Sequence, residues 1–332
     1  MEKEKLTPGN LMELSGGYWK TCALHAAVKL DVFTIIADAQ MAGEKVAQRA
    51  DADARAMAML LNALVAMDLL IKTGDHFTNT EIARNFLSKD SPKYLGHIIQ
   101  HHQQLMGSWA RLDEGVKTGR PIRERASKTD DSWREHFLMG MFNIAMQQAP
   151  KIVTEVDLSE KKHLLDLGGG PGTYAIHFCK QHPQLKATVY DLPTTRPFAE
   201  KTIGKFGLAE RIDFKDVDFI EEGIEGVFDA AWLSHILHGE RPDDCKQIIR
   251  KAVSAMEPGG IIIIHEFILN NSMDGPLFPA LFSLNMLLGT DGGQAYSEQQ
   301  ISDMLSSAGV HDIRRIPIES PNDSGIMVGT VN

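Results

Sequence analysis

Cysteine is scarce: Cys22, Cys179 and Cys245 are the only three in 332 residues, odd in number and far apart. They supply neither a disulfide framework nor metal-ligand spacing, and they read as reduced packing residues. Basic charge is also in deficit, with 34 Lys and Arg against 44 Asp and Glu and a formal net charge of −10. That balance opposes non-specific binding to nucleic acid, which needs a cationic face, and favours small-molecule chemistry. No stretch approaches the roughly 20 uninterrupted apolar residues of a membrane span. The opening MEKEKLTPGN has mixed charge and no apolar core, so no secretory leader is expected and the sequence points to the cytosol.

What is present is a globular composition, 43% hydrophobic and 23% charged, over a length that suits two domains. Helical spacing over Leu11–Leu30, Gly43–Ala50 and Ala54–Leu70 leads into a polar ribbon, Ile71–Thr78, with Gly74-Asp75 as a turn between two extended arms. Three helices and a hairpin in that order predict a winged helix-turn-helix. Its would-be recognition helix, Ala54–Leu70, has Arg55 as its one basic residue and is otherwise mainly Ala, Met, Leu and Val. Packing, as in a dimer, is therefore favoured over reading DNA, and a winged-helix regulator is the competing reading from another class. His97, His101 and His102 crowd together without a carboxylate or cysteine beside them, so they read as solvated or interface histidines; no metal is expected. Beyond a charged connection, Val153–Lys162, strands and helices alternate, the pattern of a mostly parallel sheet covered on both faces.

The most informative run is His163–Tyr174, HLLDLGGGPGTY, a buried strand entering a glycine-rich turn that opens a helix. Bare peptide there lets a ligand approach the backbone. The dinucleotide fingerprint would need glycine at 173, where Thr173 stands, so pyrophosphate cradling is disfavoured. A second strand, Lys186–Tyr190, runs into Asp191 about 20 residues past the loop, where a carboxylate accepts both ribose hydroxyls. A third, Arg211–Lys215, leads to Asp216-Val217-Asp218-Phe219. Asp218 is preferred over Asp216 as acceptor for an adenine amino group, with Phe219 packing on the ring.

Taken in order, LLDLGGGPGTYA, VYDLP, DVDF, DAAWLSHILHGERPDDC and MEPGGIIIIHE resemble the O-methyltransferases of the caffeic acid and hydroxyindole type, over essentially the whole chain. The resemblance implies an α/β fold, the class I methyltransferase Rossmann-like seven-stranded sheet, its last strand (Ile326–Val331) antiparallel. In front it implies an all-helical winged-helix dimerisation domain and hence a homodimer. Boundaries follow at 1–105, 106–155 (a helical linker contributing to the acceptor pocket) and 156–332. The implied cofactor is S-adenosyl-L-methionine (SAM), with S-adenosyl-L-homocysteine (SAH) as product. It would be held by Gly168, Gly170, Asp191, Leu192, Asp218, Phe219 and the segment Trp232–Ser234, Ser234 in particular.

Methyl transfer from a sulfonium asks the protein to place the acceptor in line and remove its proton. A phenol titrates near 10 and a histidine near 6.5, so a neutral imidazole suits the task. His235 and His238 compete for it after the fourth strand, Phe228–Leu233. His238 matches the family's base, and His235 is expected to pack or line the cofactor pocket. Glu266, read as the end of the strand Ile261–His265, matches the acid that orients the base. Two departures stand out: Gly239 replaces the acid after the base, and Ala295 replaces a second glutamate in the loop Gly292–Ser297. The acceptor pocket is assigned to Phe137, Met141, Phe142, Met146, Phe282, Asn285 and Met286, and the acceptor to a small aromatic or polyketide-like hydroxyl compound. Carbon or nitrogen methylation, or a relative that binds the cofactor without transfer, remain alternatives.

Overall fold

The computed structural model describes residues 6–125 and 131–332. Residues 1–5 of the segment expected to lack a leader, and 126–130 of the 106–155 stretch, lie outside the described residues. The chain forms two compact units, residues 1–106 with 135–143, and 107–134 with 144–332, so the stretch 106–155 is shared between them.

In the first unit, Thr7 and Asn10 cap α1 (Pro8–Gly16) reciprocally. The helix expected over Leu11–Leu30 is two helices, because the pair Gly16-Gly17 offers no side chain to hold the turn before α2 (Tyr18–Lys29). Then come α3 (Val32–Ile36), β1 (Met41–Ala42), α4 (Gly43–Arg49) and α5 (Ala54–Ala66). Asp53 caps α5 through the Ala56 amide at 2.8 Å, and Met57, Leu61 and Leu64 form its buried stripe. That helix stops before Leu70 because Asp68 is left-handed, at φ 57°, and the chain turns out into β2 (Leu70–Thr73). Gly74, at φ 66°, makes the turn to β3 (His76–Asn79), and β1 pairs with β3 on its other side. The hairpin expected over Ile71–Thr78 is thus formed, and β1 extends it to a small three-stranded sheet in an otherwise helical unit. Its core gathers Phe33, Ile36, Leu61, Leu64 and Phe77, whereas Leu11, Met12, Leu14, Tyr18 and Trp19 are exposed.

Next follow α6 (Glu81–Leu87), α7 (Gly96–Trp109), α8 (Leu112–Thr118) and α9 (Asp131–Ile152). Of the three histidines read as solvated or interface residues, His102 is exposed, whereas His97 and His101 pack within the unit. His97 Nδ1 lies 3.2 Å from His136 Nδ1, and His101 is buried with its ring 5.3 Å from that of Phe137. The cysteine expectation divides: Cys179 and Cys245 are buried, and burial pushes their thiols up to about 11 and about 12, but Cys22 is exposed and packs no core.

The second unit is built on β4 (His163–Leu167), α10 (Thr173–Gln181), β5 (Lys186–Asp191), α11 (Arg196–Lys205), β6 (Ile212–Asp216), β7 (Phe228–Ser234), α12 (Pro242–Ser254), β8 (Met256–Leu269), α13 (Leu277–Gly289), β9 (Tyr296–Ser297), α14 (Glu298–Ser307), β10 (Val310–Ile316) and β11 (Ser324–Val331). Sheet order is β10-β11-β8-β7-β4-β5-β6, with two-residue β9 attached to β8 off this path. The strands from β6 to β8 are parallel, and β11 runs antiparallel to both neighbours. Alternation sorts the two faces. Leu165 and Leu167 join one apolar cluster with Ile262 and Ile264, while Leu164 joins the other with Trp232 and Ile263. Period two therefore sends Glu266 to the face of Ile262 and Ile264 and His265 to the opposite face. Contrary to expectation, Glu266 lies inside β8, because the strand runs on to pair with β9 through Ile268 and Leu269. The order reverses between β4 and β7, and the crevice at their carboxyl ends is where α/β sheets build sites.

Candidate active site

Three turns meet at that crevice. After β4 the backbone is left-handed at Gly168 (φ 66°) and Gly170 (φ 55°), a conformation that favours glycine. A Cβ on Gly168 would lie 2.5 Å from Ile236 Cγ2 and 3.4 Å from the Phe219 ring, so this position is closed to side chains. Around Gly170 a Cβ would meet nothing within 4 Å, so the peptide faces open space. The Gly170 amide donates to Asp191 Oδ2 at 2.8 Å, and Asp191 Oδ1 accepts from the Leu192 amide at 2.7 Å and Thr195 Oγ1 at 3.0 Å. Burial raises the Asp191 carboxyl, against the pull of these donors. One lone pair remains on Oδ2. Two ribose hydroxyls can be accepted if one of the three donors, of which the Thr195 side chain is the one free to rotate, turns away, a constraint that sequence alone did not reveal.

At the end of β6, Asp216 is paired with Arg196, whose Nε sits 3.0 and 3.2 Å from its two oxygens. Asp218 uses Oδ1 to accept from the Ile220 amide at 3.1 Å and is otherwise open. This difference in engagement favours Asp218 as a ligand group. The Trp232–Ser234 segment divides. Trp232 and Leu233 are fully buried, Trp232 among Tyr174, Phe178 and His265. Ser234 Oγ lies 2.9 Å from His265 Nδ1 in a chain that continues to Ser324 Oγ at 3.2 Å. Burial and the neighbouring His235 hold His265 neutral.

The third turn carries the histidines. Glu266 is 2% exposed, and every bond it makes serves the β7 turn or its own strand. Oε1 accepts from the Leu237 amide at 2.9 Å and the His238 amide at 3.2 Å; Oε2 accepts from the Phe267 amide at 3.2 Å and lies 2.8 Å from His238 Nδ1. Burial alone would raise this carboxyl, but His238 and His235 outweigh it and keep the group well below the usual carboxylate range. An ionised acceptor at Nδ1 fixes the His238 tautomer and leaves Nε2 with its lone pair. His238 itself packs edge-on to Phe282 at 4.8 Å and over Phe267 at 5.8 Å.

His235 is held at φ 55°, packs with its ring tilted against that of Phe267 at 4.3 Å, and points Nδ1 at Glu266 Oε2 from 3.6 Å. Two imidazoles thus share one carboxylate. Their ligand atoms lie within 4.8 Å of one another, which makes this the group among the described residues able to take a metal ion. The short bond from His238 Nδ1 already spends that nitrogen on the carboxylate, as a proton-transfer dyad requires.

The two departures have visible consequences. At Gly239, a Cβ would lie 2.5 Å from Arg125 Nη2, and Arg125 bonds the Gly239 carbonyl and pairs with Glu240. Arg125 and Glu240 were not singled out from sequence, since nothing local joins positions so far apart. Ala295 is fully buried and brings no carboxylate; its amide donates to Ser283 Oγ at 3.1 Å. At Gly293 a Cβ would lie 2.4 Å from the His238 carbonyl, so this glycine lets the loop press on the base. Of the expected acceptor residues, Phe282, Asn285 and Met286 lie on α13, and Phe137, Met141, Phe142 and Met146 lie half-buried along α9.

Residues 113–311 match the O-methyltransferase domain family, and residues 12–89 match the O-methyltransferase dimerisation domain. The chain belongs to the O-methyltransferase family. It is 32% identical over 328 residues to the 3-hydroxy-5-methyl-1-naphthoate 3-O-methyltransferase of Streptomyces sahachiroi, covering 97% of this chain and 95% of that protein. The structure of PigF with SAH superposes with a TM-score of 0.89 at 29% identity, over 98% of this O-methyltransferase and all of that chain. Human N-acetylserotonin methyltransferase in complex with SAM gives 0.88 at 25% identity over the full length of both. The fold is therefore that of the class I SAM-dependent methyltransferases behind a dimerisation domain, and the cofactor of this O-methyltransferase is SAM.

Proposed function

We propose that this O-methyltransferase methylates the hydroxyl of a small, flat aromatic or polyketide-like acceptor, with His238 as general base. The observation that carries the reading is the 2.8 Å contact of His238 Nδ1 with an ionised, fully buried Glu266. SAM, when bound, supplies a methyl group already activated on a sulfonium. The open peptide at Gly170 and the remaining lone pair of Asp191 fit its ribose and methionine portions, with Gly168, Leu192 and Ser234 beside them. Asp218 and Phe219 would hold the adenine. His238 Nε2 accepts the acceptor hydroxyl's proton, and Glu266 stabilises the imidazolium that results. Phe282, Asn285 and Met286 on α13, with Met146 on α9, would line the acceptor's side of the crevice.

The first unit supports pairing of two copies, as a winged-helix dimerisation module, through the apolar residues exposed on α1 and α2. Transfer of labelled methyl from SAM to a panel of phenols tests the reaction. His238→Ala should lower turnover about a hundredfold or more while leaving SAM affinity nearly unchanged. Equal rates for variant and parent would remove His238 from the chemistry.

A further inference from the structure

The segment after α8 carries an arginine for which the methyl-transfer chemistry has no use. Gly119, at φ 64°, ends α8, and the Ile122 and Arg123 amides both donate to the Leu288 carbonyl, at 2.9 and 3.0 Å, fastening the segment to the end of α13. The Arg123 guanidinium then lies across Gly289, where a Cβ would sit 2.6 Å from its Cζ. A glycine at that helix position makes the room. Nη2 donates to the Asn285 carbonyl and to Asn285 Oδ1, both at 3.1 Å, and Nη1 donates to Ser108 Oγ at 3.3 Å. Trp109 Nε1 reaches the same Oδ1 at 3.3 Å, so the Asn285 amide is held in one orientation.

All of these partners are neutral. The neighbouring arginines differ: Arg125 pairs with Glu240 and Arg241 with Asp291, whereas Arg123 has no carboxylate partner among the described residues. Burial holds its guanidinium down to about 10, which still leaves it cationic at neutral pH. Leaving a half-buried cation without a counter-charge is unfavourable, and an anion from a ligand would offset that cost. Three of its five N–H groups are used, which leaves Nε–H and one hydrogen on Nη1 for such a ligand.

Position links this cation to the acceptor. Asn285 is one helical turn along α13 from Phe282, whose ring meets His238 edge-on at 4.8 Å. Gly289, which the guanidinium crosses, follows Phe282 on the same helix by two turns, about 10 Å along its axis at a rise of about 1.5 Å per residue, a span that one or two fused rings with their substituents can bridge. We propose that Arg123 reads a carboxylate on the acceptor, so that the substrate class is a hydroxylated aromatic carboxylate. The proposal rests on the assignment of His238 as the base for a hydroxyl acceptor.

The test compares a hydroxynaphthoate with its methyl ester, on the parent and on Arg123→Gln, whose amide can still bond Asn285. The parent should favour the acid at least tenfold in kcat/KM, a preference that shrinks as salt rises. Arg123→Gln should raise KM for the acid about tenfold or more with little change in kcat, leave the ester within threefold, and be partly rescued by Arg123→Lys. A parent that takes ester and acid alike, or a variant that loses both equally, overturns the proposal, the second outcome making Arg123 a structural peg. The parent's acid-to-ester ratio decides the matter even if the variants fail to fold. Should neither compound be methylated, calorimetric titration of the acid in the presence of SAH separates the two ideas. Binding abolished by Arg123→Gln keeps the carboxylate site and discards hydroxyl transfer, whereas no binding, or binding indifferent to the variant, discards the site.

Discussion

Glu266→Gln is the sharpest perturbation of the base, because it changes one atom and one charge in a position with no freedom to rearrange. In the parent, Oε1 serves two amides at 2.9 and 3.2 Å, and Oε2 serves the Phe267 amide at 3.2 Å and His238 Nδ1 at 2.8 Å. Glutamine can keep its oxygen only at the first of these places, where two donors converge. Its NH2 then falls at the second, facing the Phe267 N–H and demanding an acceptor at Nδ1. His238 must move its proton to Nε2, and the nitrogen turned towards the acceptor becomes a donor. A base in the wrong tautomer loses on the order of 10² to 10⁴ in turnover. The opposed N–H groups at Phe267 should add a destabilisation of about 1–3 kcal/mol. Steady-state methyl transfer against pH, with thermal melts of both proteins, measures the two effects. A variant within threefold of the parent in kcat, at any pH between 6 and 9, would show that the dyad does not act as base.

The remaining expectations concern cofactor binding, pH and assembly. Asp191→Ala removes the acceptor of three donors and the open lone pair, and should weaken SAM about tenfold or more by calorimetry; an unchanged Kd would place the ribose elsewhere. Asp166 is fully buried, and burial pushes its carboxyl from 3.8 up to about 7. Its contribution to stability is thus complete below about pH 4 and lost as pH rises through about 7, a change on the order of 4 kcal/mol. Glu266 runs the other way: its carboxyl is depressed in the fold, so its contribution holds above about 4.5 and fades as pH falls further. Asp166→Asn should accordingly flatten the Tm profile between pH 4 and 7, and parallel profiles for variant and parent would contradict the raised carboxyl. Leu14→Glu with Trp19→Glu places charge on the exposed apolar face of α1 and α2 and should shift sedimentation towards the mass of one chain. An unshifted dimer would move the interface off these helices.

Much of this protein could be read along the chain because its signals are local. Turns that need glycine, an acid at a strand tip and a period-two apolar run each depend on neighbouring residues, and they placed Gly168, Gly170, Asp191 and the strands within a few positions. Boundaries failed where a single backbone angle decided them. Asp68 in the left-handed region ended α5 early, and pairing with β9 carried β8 past Glu266. The resemblance assigned the whole Trp232–Ser234 segment to the cofactor, and the packing of Tyr174, Phe178 and His265 around Trp232 puts that side chain in the core.

What the amino-acid order determined by itself was the kind of element at each place and the chemical types brought to one edge of the sheet. Which charge meets which partner was decided only by the tertiary fold: the contact of His238 with Glu266 spans 28 residues, and that of Arg123 with Asn285 spans 162. Electrostatic and hydrogen-bond energies depend on distance and burial in space, and separation along the chain carries almost none of that information. The acid expected after the base is absent from the sequence, and only the folded chain shows that Arg125 and Glu240 occupy its surroundings.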